Sequence, residues 1–296
     1  MAEQNLLWQS KLVLLLVLPY VAADLVLEAH WWAVQDAPVA TWTLGASILL
    51  GLIVLRLRAA TPMAALTGFA ITATLMFSTA SFPYKPWHTA LVPVLAVAIL
   101  AQIATRIGRA KKEKMGIAEK RRGRSASQVA ANLGVAALIS SEFAQSVLLD
   151  ARWLARFHLT STAVIALGLA ALSEAAADTV SSEMGQVLSR QPRMITTLKK
   201  VNPGLDGAIS LPGTLLGIVA AAIVAALGAW AVRLHLALFL ISWIGGVFGL
   251  FFDSLLGATL ERKGWLNNDA VNFLSTASAV AFALLVLIVF AARQLL

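Results

Sequence analysis

The sequence predicts an all-α, polytopic membrane helix bundle of about nine transmembrane helices with a cytoplasmic amino terminus. Three observations carry this. Of 296 residues, 59% are hydrophobic and 13% charged, with a mean hydropathy of +0.80; a soluble domain carries roughly a quarter charged residues to cover its surface. Long charge-free stretches recur along the chain, and Lys and Arg collect in alternate connections between them. A soluble globule is excluded. The chain has no cysteine, which excludes thiol catalysis, disulfides and Cys-ligated metals. The histidines, His30, His88, His158 and His235, show no ligand spacing.

A helix needs about 20 mostly apolar residues to cross a bilayer core. The first candidate, Trp8–Leu27, is interrupted only by Lys11 near its start and Asp24 near its end. It could be a signal peptide cut near Val21–Ala23, but a single late cation and Glu3 ahead of it favour an uncleaved span. Ala37–Leu55 and Ala59–Tyr84 are separated by Arg56 and Arg58, and Pro86–Thr105 begins beyond Lys85. A basic loop, 106–124, leads to Ser125–Ser141 and Phe157–Ser173. A second loop, 189–206, rich in Lys, Pro and Gly, precedes Gly207–Val232, Leu234–Phe252 and Ala270–Ala292. Residues 1–296 therefore read as one polytopic membrane domain with two elaborated loops.

Lys and Arg are retained on the cytoplasmic side of a membrane. Threading nine spans from an inner amino terminus leaves 18 cations inside and five outside, Lys85, Arg152, Arg156, Arg233 and Arg293. Trp31, Trp32 and Trp87 fall at the opposite interface, where amphipathic rings settle. The net charge of +8 is local rather than spread as on a nucleic-acid-binding surface: Arg106, Arg109, Lys111, Lys112, Lys114, Lys120, Arg121, Arg122 and Arg124, with only Glu113 and Glu119 against them, hold +7 of it. No nucleic-acid partner is expected. The chain is expected in the cell (inner) membrane with its site on the cytoplasmic side.

Ionisable groups inside spans are costly and mark pathways or sites. Gln128 and Asn132 lie one turn apart at the start of the fifth span, and Glu174, Asp178 and Glu183 at the inner end of the sixth. Asp253 approaches the inner end of the eighth, and Asp269 and Asn272 open the ninth. All meet at one leaflet, beside the basic loop and Lys199–Lys200. Carboxylates beside cations and glycine turns suit phosphates with a divalent cation, because Mg2+ prefers a few carboxylates, water and substrate phosphate oxygens. The stretch from Lys199 to Gly207, including Gly204, forms a cationic turn leading into a span through Ser210. It contains no Walker A or G-x-G-x-x-G pattern. Plainer readings stay open. The loop can fix topology or bind anionic lipid. Gln128 and Asn132 can bond between helices, and Gly213, Gly217, Gly245, Gly246 and Gly249 can be packing contacts. Asp178 and Glu183, five apart, diverge in a regular helix and share a site only if it loosens after Thr179.

An ordered series of blocks adds to this. It begins with Lys114-Met115-Gly116 and Gly123-Arg124-Ser125-Ala126-Ser127-Gln128-Val129-Ala130-Ala131-Asn132. It continues with Ala177-Asp178-Thr179-Val180-Ser181-Ser182-Glu183-Met184-Gly185, Pro192-Arg193-Met194-Ile195-Thr196-Thr197, Val201-Asn202-Pro203-Gly204 and Gly207-Ala208-Ile209-Ser210. It ends with Asp253-Ser254-Leu255-Leu256-Gly257-Ala258-Thr259-Leu260 and Asn268-Asp269-Ala270-Val271-Asn272. Order and spacing resemble, over most of the chain, the multi-spanning family labelled domain of unknown function 92. That family includes the plant plastid phytyl-phosphate kinase of vitamin E synthesis and the animal transmembrane protein 19. Asp206 and Leu260 depart from its pattern, where Asn or Ser and Gln are usual.

The resemblance implies an isoprenoid-phosphate kinase, passing a phosphoryl group from a nucleoside triphosphate, expected to be CTP, to phytyl or another prenyl monophosphate. Under it, Asp178 and Glu183 are the expected Mg2+ ligands, with Asp253 as a third carboxylate or a partner through water. Lys200, with Lys199 beside it, and Arg124 hold phosphates, aided by backbone around Gly204 and Gly207 and by Ser210. Gln128, Asn132, Asn268, Asp269 and Asn272 position phosphates or base. Two other readings remain: a lipid or small-molecule transporter or flippase, and a CTP-dependent lipid nucleotidyltransferase. Oligomeric state is not legible.

Overall fold

A computed structural model describes residues 2–116, 123–151, 157 and 159–294, with side chains from residue 8 to residue 292. Lys120, Arg121 and Arg122 of the basic loop, together with Glu119, Arg152, Arg156 and His158, lie outside the described residues. The described chain is all-helical apart from one short hairpin. In order run α1 (Ala2–Gln35), α2 (Ala37–Arg56), α3 (Pro62–Ser78), α4 (Leu91–Arg106), α5 (Arg109–Met115), α6 (Ala126–Ser140), α7 (Glu142–Asp150) and α8 (Ser161–Leu188). The antiparallel strands β1 (Arg193–Met194) and β2 (Ala208–Ile209) follow, then α9 (Leu211–Ala231), α10 (Leu236–Leu256) and α11 (Asn268–Gln294).

Helix starts follow from the sequence. Asp36, Thr61, Ser141, Thr160 and Ser210 each accept a first-turn backbone N–H, and α2, α3 and α9 carry Pro in their first turn, where no N–H is needed. Ser125 and Gln128 form a reciprocal capping box at α6. That box fixes the start of α6 beside Arg124.

α8 is the hub. Its most apolar window is 89% buried, packed chiefly on α9 and α10 and also on α6, α11 and α4. Small residues allow this approach: an added Cβ at Gly217 would stand 2.8 Å from the Ala177 carbonyl, and one at Gly246 3.0 Å from the Glu174 nitrogen. Such close backbones are how apolar helices associate where lipid removes the hydrophobic drive between them.

A helix occupies each of the nine predicted stretches, but their lengths differ from expectation. Among the described residues six helices are long and apolar enough to cross a membrane, or up to eight if two bent pairs each count as one span. The pairs are α4–α5, bent by 60°, and α6–α7, bent by 54°. α3 has only 17 residues. α1 continues past Pro19 to Gln35, and α8 continues to Leu188, so its three acids lie within the helix rather than beyond its end. The basic loop is partly helical, as α5, and the second loop is organised by the hairpin.

Candidate functional site

The alternation of helix directions brings the carboxyl ends of α4, α8 and α10 together with the amino ends of α6, α9 and α11. Two adjoining polar cavities lie there. The first, about 910 Å3, is bounded by α8, the start of α9, the end of α10 and the 203–208 turn. Asp178, Asp206, Asp253 and Glu261 line it with Gly204, Gly207, Ser210 and Asn268. Asp178, Ser181, Ser182 and Gly185 present one face of α8 to it, at the i, i+3, i+4, i+7 positions.

Asp178 and Asp253 line the same cavity from α8 and α10, and the Asp253 Oδ2 is buried without a hydrogen-bond partner. Glu174, one turn deeper on α8, is fully buried with both carboxyl oxygens unpartnered. Burial raises the Asp206 carboxyl above its ordinary value, opposed by the nearby Arg262 guanidinium. Beyond α10 the chain makes one wide turn, Gly257–Glu261, closed by Arg262 N donating to the Gly257 carbonyl at 3.2 Å. Such i, i+5 turns recur at functional sites. Here it carries Glu261 into the cavity wall.

Gly207 interlocks with this turn. Its φ is +74°, and a Cβ there would stand 2.2 Å from the Ala258 nitrogen, so only glycine fits. The 203–207 turn is thereby pressed onto the end of α10. The hairpin supports it from the other side, with Ile195 N donating to the Gly207 carbonyl at 3.1 Å.

The second cavity, about 850 Å3, shares Asp178, Ser182 and Asn268 with the first and adds Arg124, Gln128, Asn132, Glu183, Asp269 and Asn272. The Arg124 backbone is pinned on both sides: its N–H donates to the Ala59 carbonyl and its carbonyl accepts from Thr61 N, both at 3.0 Å. Its guanidinium Nη2 lies 3.5 Å from the Thr179 hydroxyl. The Asn132 amide nitrogen donates to the Gln128 carbonyl at 2.8 Å, and its oxygen accepts from the Asn272 amide at 3.3 Å. Asp269 accepts from the Ser10 hydroxyl at 2.6 Å, tying α11 to α1.

Most of the expected site residues therefore meet at one end of the bundle, but three do not join the acids. α8 stays helical past Thr179, so Glu183 points about 140° away from Asp178, at 3.6 residues per turn. Its carboxylate pairs with Lys112 and accepts from the Thr105 hydroxyl at 3.2 Å. Among the described residues no three acidic or imidazole groups are placed to cage a metal. Lys199 and Lys200 are exposed. Backbone bonds from Met194 N to the Lys199 carbonyl and from Val201 N to the Pro192 carbonyl, both at 2.9 Å, hold that strand, and neither side chain lines either cavity. The Gln128 amide oxygen is taken by the Ser125 N–H at 2.8 Å. Asp206, Glu261 and Lys112 are additions. Asp253, Gly257 and Glu261 recur at i, i+4, i+8, a spacing that would have put Glu261 on the Asp253 face.

The donor set is all oxygen, which suits a hard cation such as Mg2+. Two facing carboxylates, one with an orphaned oxygen, fit the way Mg2+ is held beside phosphates, by one or two carboxylates with substrate oxygens completing the shell.

An uncharacterized membrane protein of Methanocaldococcus jannaschii is 34% identical over 186 residues, covering 63% of this chain and 71% of that protein. An uncharacterized membrane protein of Synechocystis is 32% identical over 203 residues, covering 67% and 73%. The chloroplastic protein VTE6 of Arabidopsis thaliana is 29% identical over 199 residues, covering 65% of this chain and 56% of that protein. No solved structure matches. The sequence profile described as "Integral membrane protein DUF92" matches residues 45–280, a span that contains every cavity residue named above, and the chain belongs to that family.

Proposed function

We propose that the chain is an isoprenoid-phosphate kinase, transferring the terminal phosphoryl group of a nucleoside triphosphate, CTP in the first instance, to phytyl or another prenyl monophosphate. The supporting observation is that Asp178 lies on the wall shared by an acid-lined cavity and a cavity headed by Arg124. An anionic acceptor and a metal-bound donor could meet there. The resemblance to the plastid phytyl-phosphate kinase and the identity with a chloroplastic relative point the same way. The concentration of basic residues at this end supports a cytoplasmic site, where nucleotide is available.

In the proposed reaction an oxygen of the prenyl monophosphate attacks the terminal phosphorus of the nucleotide. The bond to the bridging oxygen breaks, and the nucleoside diphosphate leaves with that electron pair. The monophosphate is already an anion, so no dedicated base is needed. Arg124 neutralises and orients it, with Asn132 and Asn272 donating from a fixed amide pair. Asp178 and Asp253 would hold Mg2+, which when bound offsets charge on the transferring group. Gly204, Gly207 and Ser210 let the nucleotide phosphates approach the backbone of the turn.

The test is to purify the full chain in detergent and supply labelled CTP or ATP with Mg2+. Phytyl, farnesyl and geranylgeranyl phosphates are offered in parallel. Prenyl diphosphate is the expected product; a folded protein that makes none from any pairing overturns the kinase reading. The unpartnered, buried Glu174 is the one observation that favours a lipid transporter instead. A transporter would move prenyl phosphate across proteoliposomes without consuming nucleotide.

A further inference from the structure

A third cavity, about 890 Å3, opens between α2, α3, α4 and α6 and is mostly apolar. Gly51 and Val54 of α2, Ala64 and Gly68 of α3, and Val97 and Ala101 of α4 set its walls. Apart from Thr72, its polar residues gather at the end next to the site: Gln102, Thr105, Arg124 and Asn132. Arg124 and Asn132 also line the second polar cavity, so apolar groove and polar pocket meet across one arginine and one asparagine. From Val94 to Thr105 the groove follows α4 for about 16 Å, at 1.5 Å of rise per residue.

Two glycines in its wall differ from those between the central helices. An added Cβ at Gly217 or Gly249 would strike neighbouring atoms within 3.0 Å. At Gly68 it would meet only Val129 Cγ1, at 3.9 Å, and at Gly51 the nearest atom is the Ala65 carbonyl oxygen at 3.6 Å. Close helix approach does not require glycine at either position. What their missing side chains leave is groove.

We propose that this groove seats the isoprenoid tail of the acceptor, with the phosphate at Arg124 and with Gly51 and Gly68 setting how long a chain is accepted. This rests on the kinase reading of the adjoining site and extends it to substrate choice. Charge placement selects the occupant. A single-chain amphiphile with an anionic head needs a cation where its apolar channel ends, and Arg124 stands there. The Arg124 backbone is locked to residues 59 and 61 between α2 and α3, so head group and tail channel keep a fixed offset. A bulky side chain at position 68 narrows the groove part-way along and cuts against longer tails first.

The test compares wild type, Gly68→Ala and Gly68→Leu on geranyl, farnesyl and geranylgeranyl phosphates. The ratio of kcat/KM for geranylgeranyl over geranyl phosphate should fall by about tenfold or more in Gly68→Leu, the scale of discrimination an apolar pocket supplies, with Gly68→Ala between. An equal loss on all three tails, or an unaltered ratio, overturns the proposal. A geranylgeranyl phosphate carrying a tail diazirine supplies a readout independent of turnover and of how well the variants fold. In wild type its cross-links should fall on the groove-lining residues of α2, α3, α4 and α6 and be displaced by unlabelled prenyl phosphate. Cross-links elsewhere, or displacement by ordinary phospholipid alone, overturn it. If wild type makes no diphosphate yet cross-links in the groove, the kinase reading fails and the tail seat stands.

Discussion

Lys112 is buried, at 1% exposure, and forms an ion pair with Glu183 while donating to the Ala104 carbonyl at 3.0 Å. α5 is thereby fastened to α8 and α4 across the 60° bend that follows α4. Lys111 adds a bond to the Val187 carbonyl at 2.6 Å. Breaking a buried pair by removing one partner typically costs about 3–5 kcal/mol, because the other charge is left behind. Lys112→Met should lower the thermal midpoint in detergent far more than Lys114→Met, an exposed neighbour. Adding Glu183→Gln to Lys112→Met should recover most of the loss. Additive losses in the double variant would show that the pair is not coupled.

Asp178→Asn and Asp253→Asn each remove one charge from facing carboxylates that the proposed mechanism uses for Mg2+. Both side chains keep their shape, so expression and thermal midpoint should stay near wild type. Turnover should fall by about a hundredfold to a thousandfold, the scale set by losing one group that stabilises charge in the transition state. Apparent Mg2+ affinity should weaken in parallel. A fully active Asp178→Asn would remove that residue from the site.

The membrane bundle was legible because composition and charge-free length are global properties that no local detail can reverse. The end at which the polar residues gather was legible too, since alternate threading of spans determines it. Which side chains touch was not. Glu183 was expected beside Asp178, but that required a break in α8, which runs unbroken from Ser161 to Leu188. Lys199 and Lys200 read as phosphate ligands from their charge and their place between resembling blocks, whereas hairpin pairing, a long-range property, leaves their side chains exposed. Lys112 was hidden among nine cations. Its burial depends on α5 folding back against α8, which charge counting does not register.

Gly207 provides a test of how the turn is built. Alanine there must tolerate φ +74° and a Cβ 2.2 Å from the Ala258 nitrogen. The left-handed conformation alone costs about 1–2 kcal/mol, and relieving the overlap requires the turn to lift off the end of α10. Gly207→Ala should therefore raise KM for nucleotide and speed proteolysis within residues 199–208. Gly116→Ala has a similar φ of +72° but nothing within 4 Å of the added Cβ, and should leave both readouts close to wild type. Equal behaviour of the two variants would show that the contact with Ala258 is unimportant.

Arg124 differs because its fold-forming bonds and its proposed ligand bonds come from separate atoms. Backbone pairing to Ala59 and Thr61 survives any side chain, and the guanidinium makes a long contact to Thr179. Arg124→Met should thus retain a near-native thermal midpoint. A hydrogen bond to a charged group contributes about 1.5–3 kcal/mol, so KM for prenyl monophosphate should rise by about tenfold to a hundredfold. Arg124→Lys should recover part of this, since an ammonium keeps the charge but not the planar fork. The effect should fall on the prenyl phosphate and spare the nucleotide, because Arg124 lines the second cavity and not the acid-lined one. A matching rise in nucleotide KM would instead place Arg124 on the donor side of the reaction.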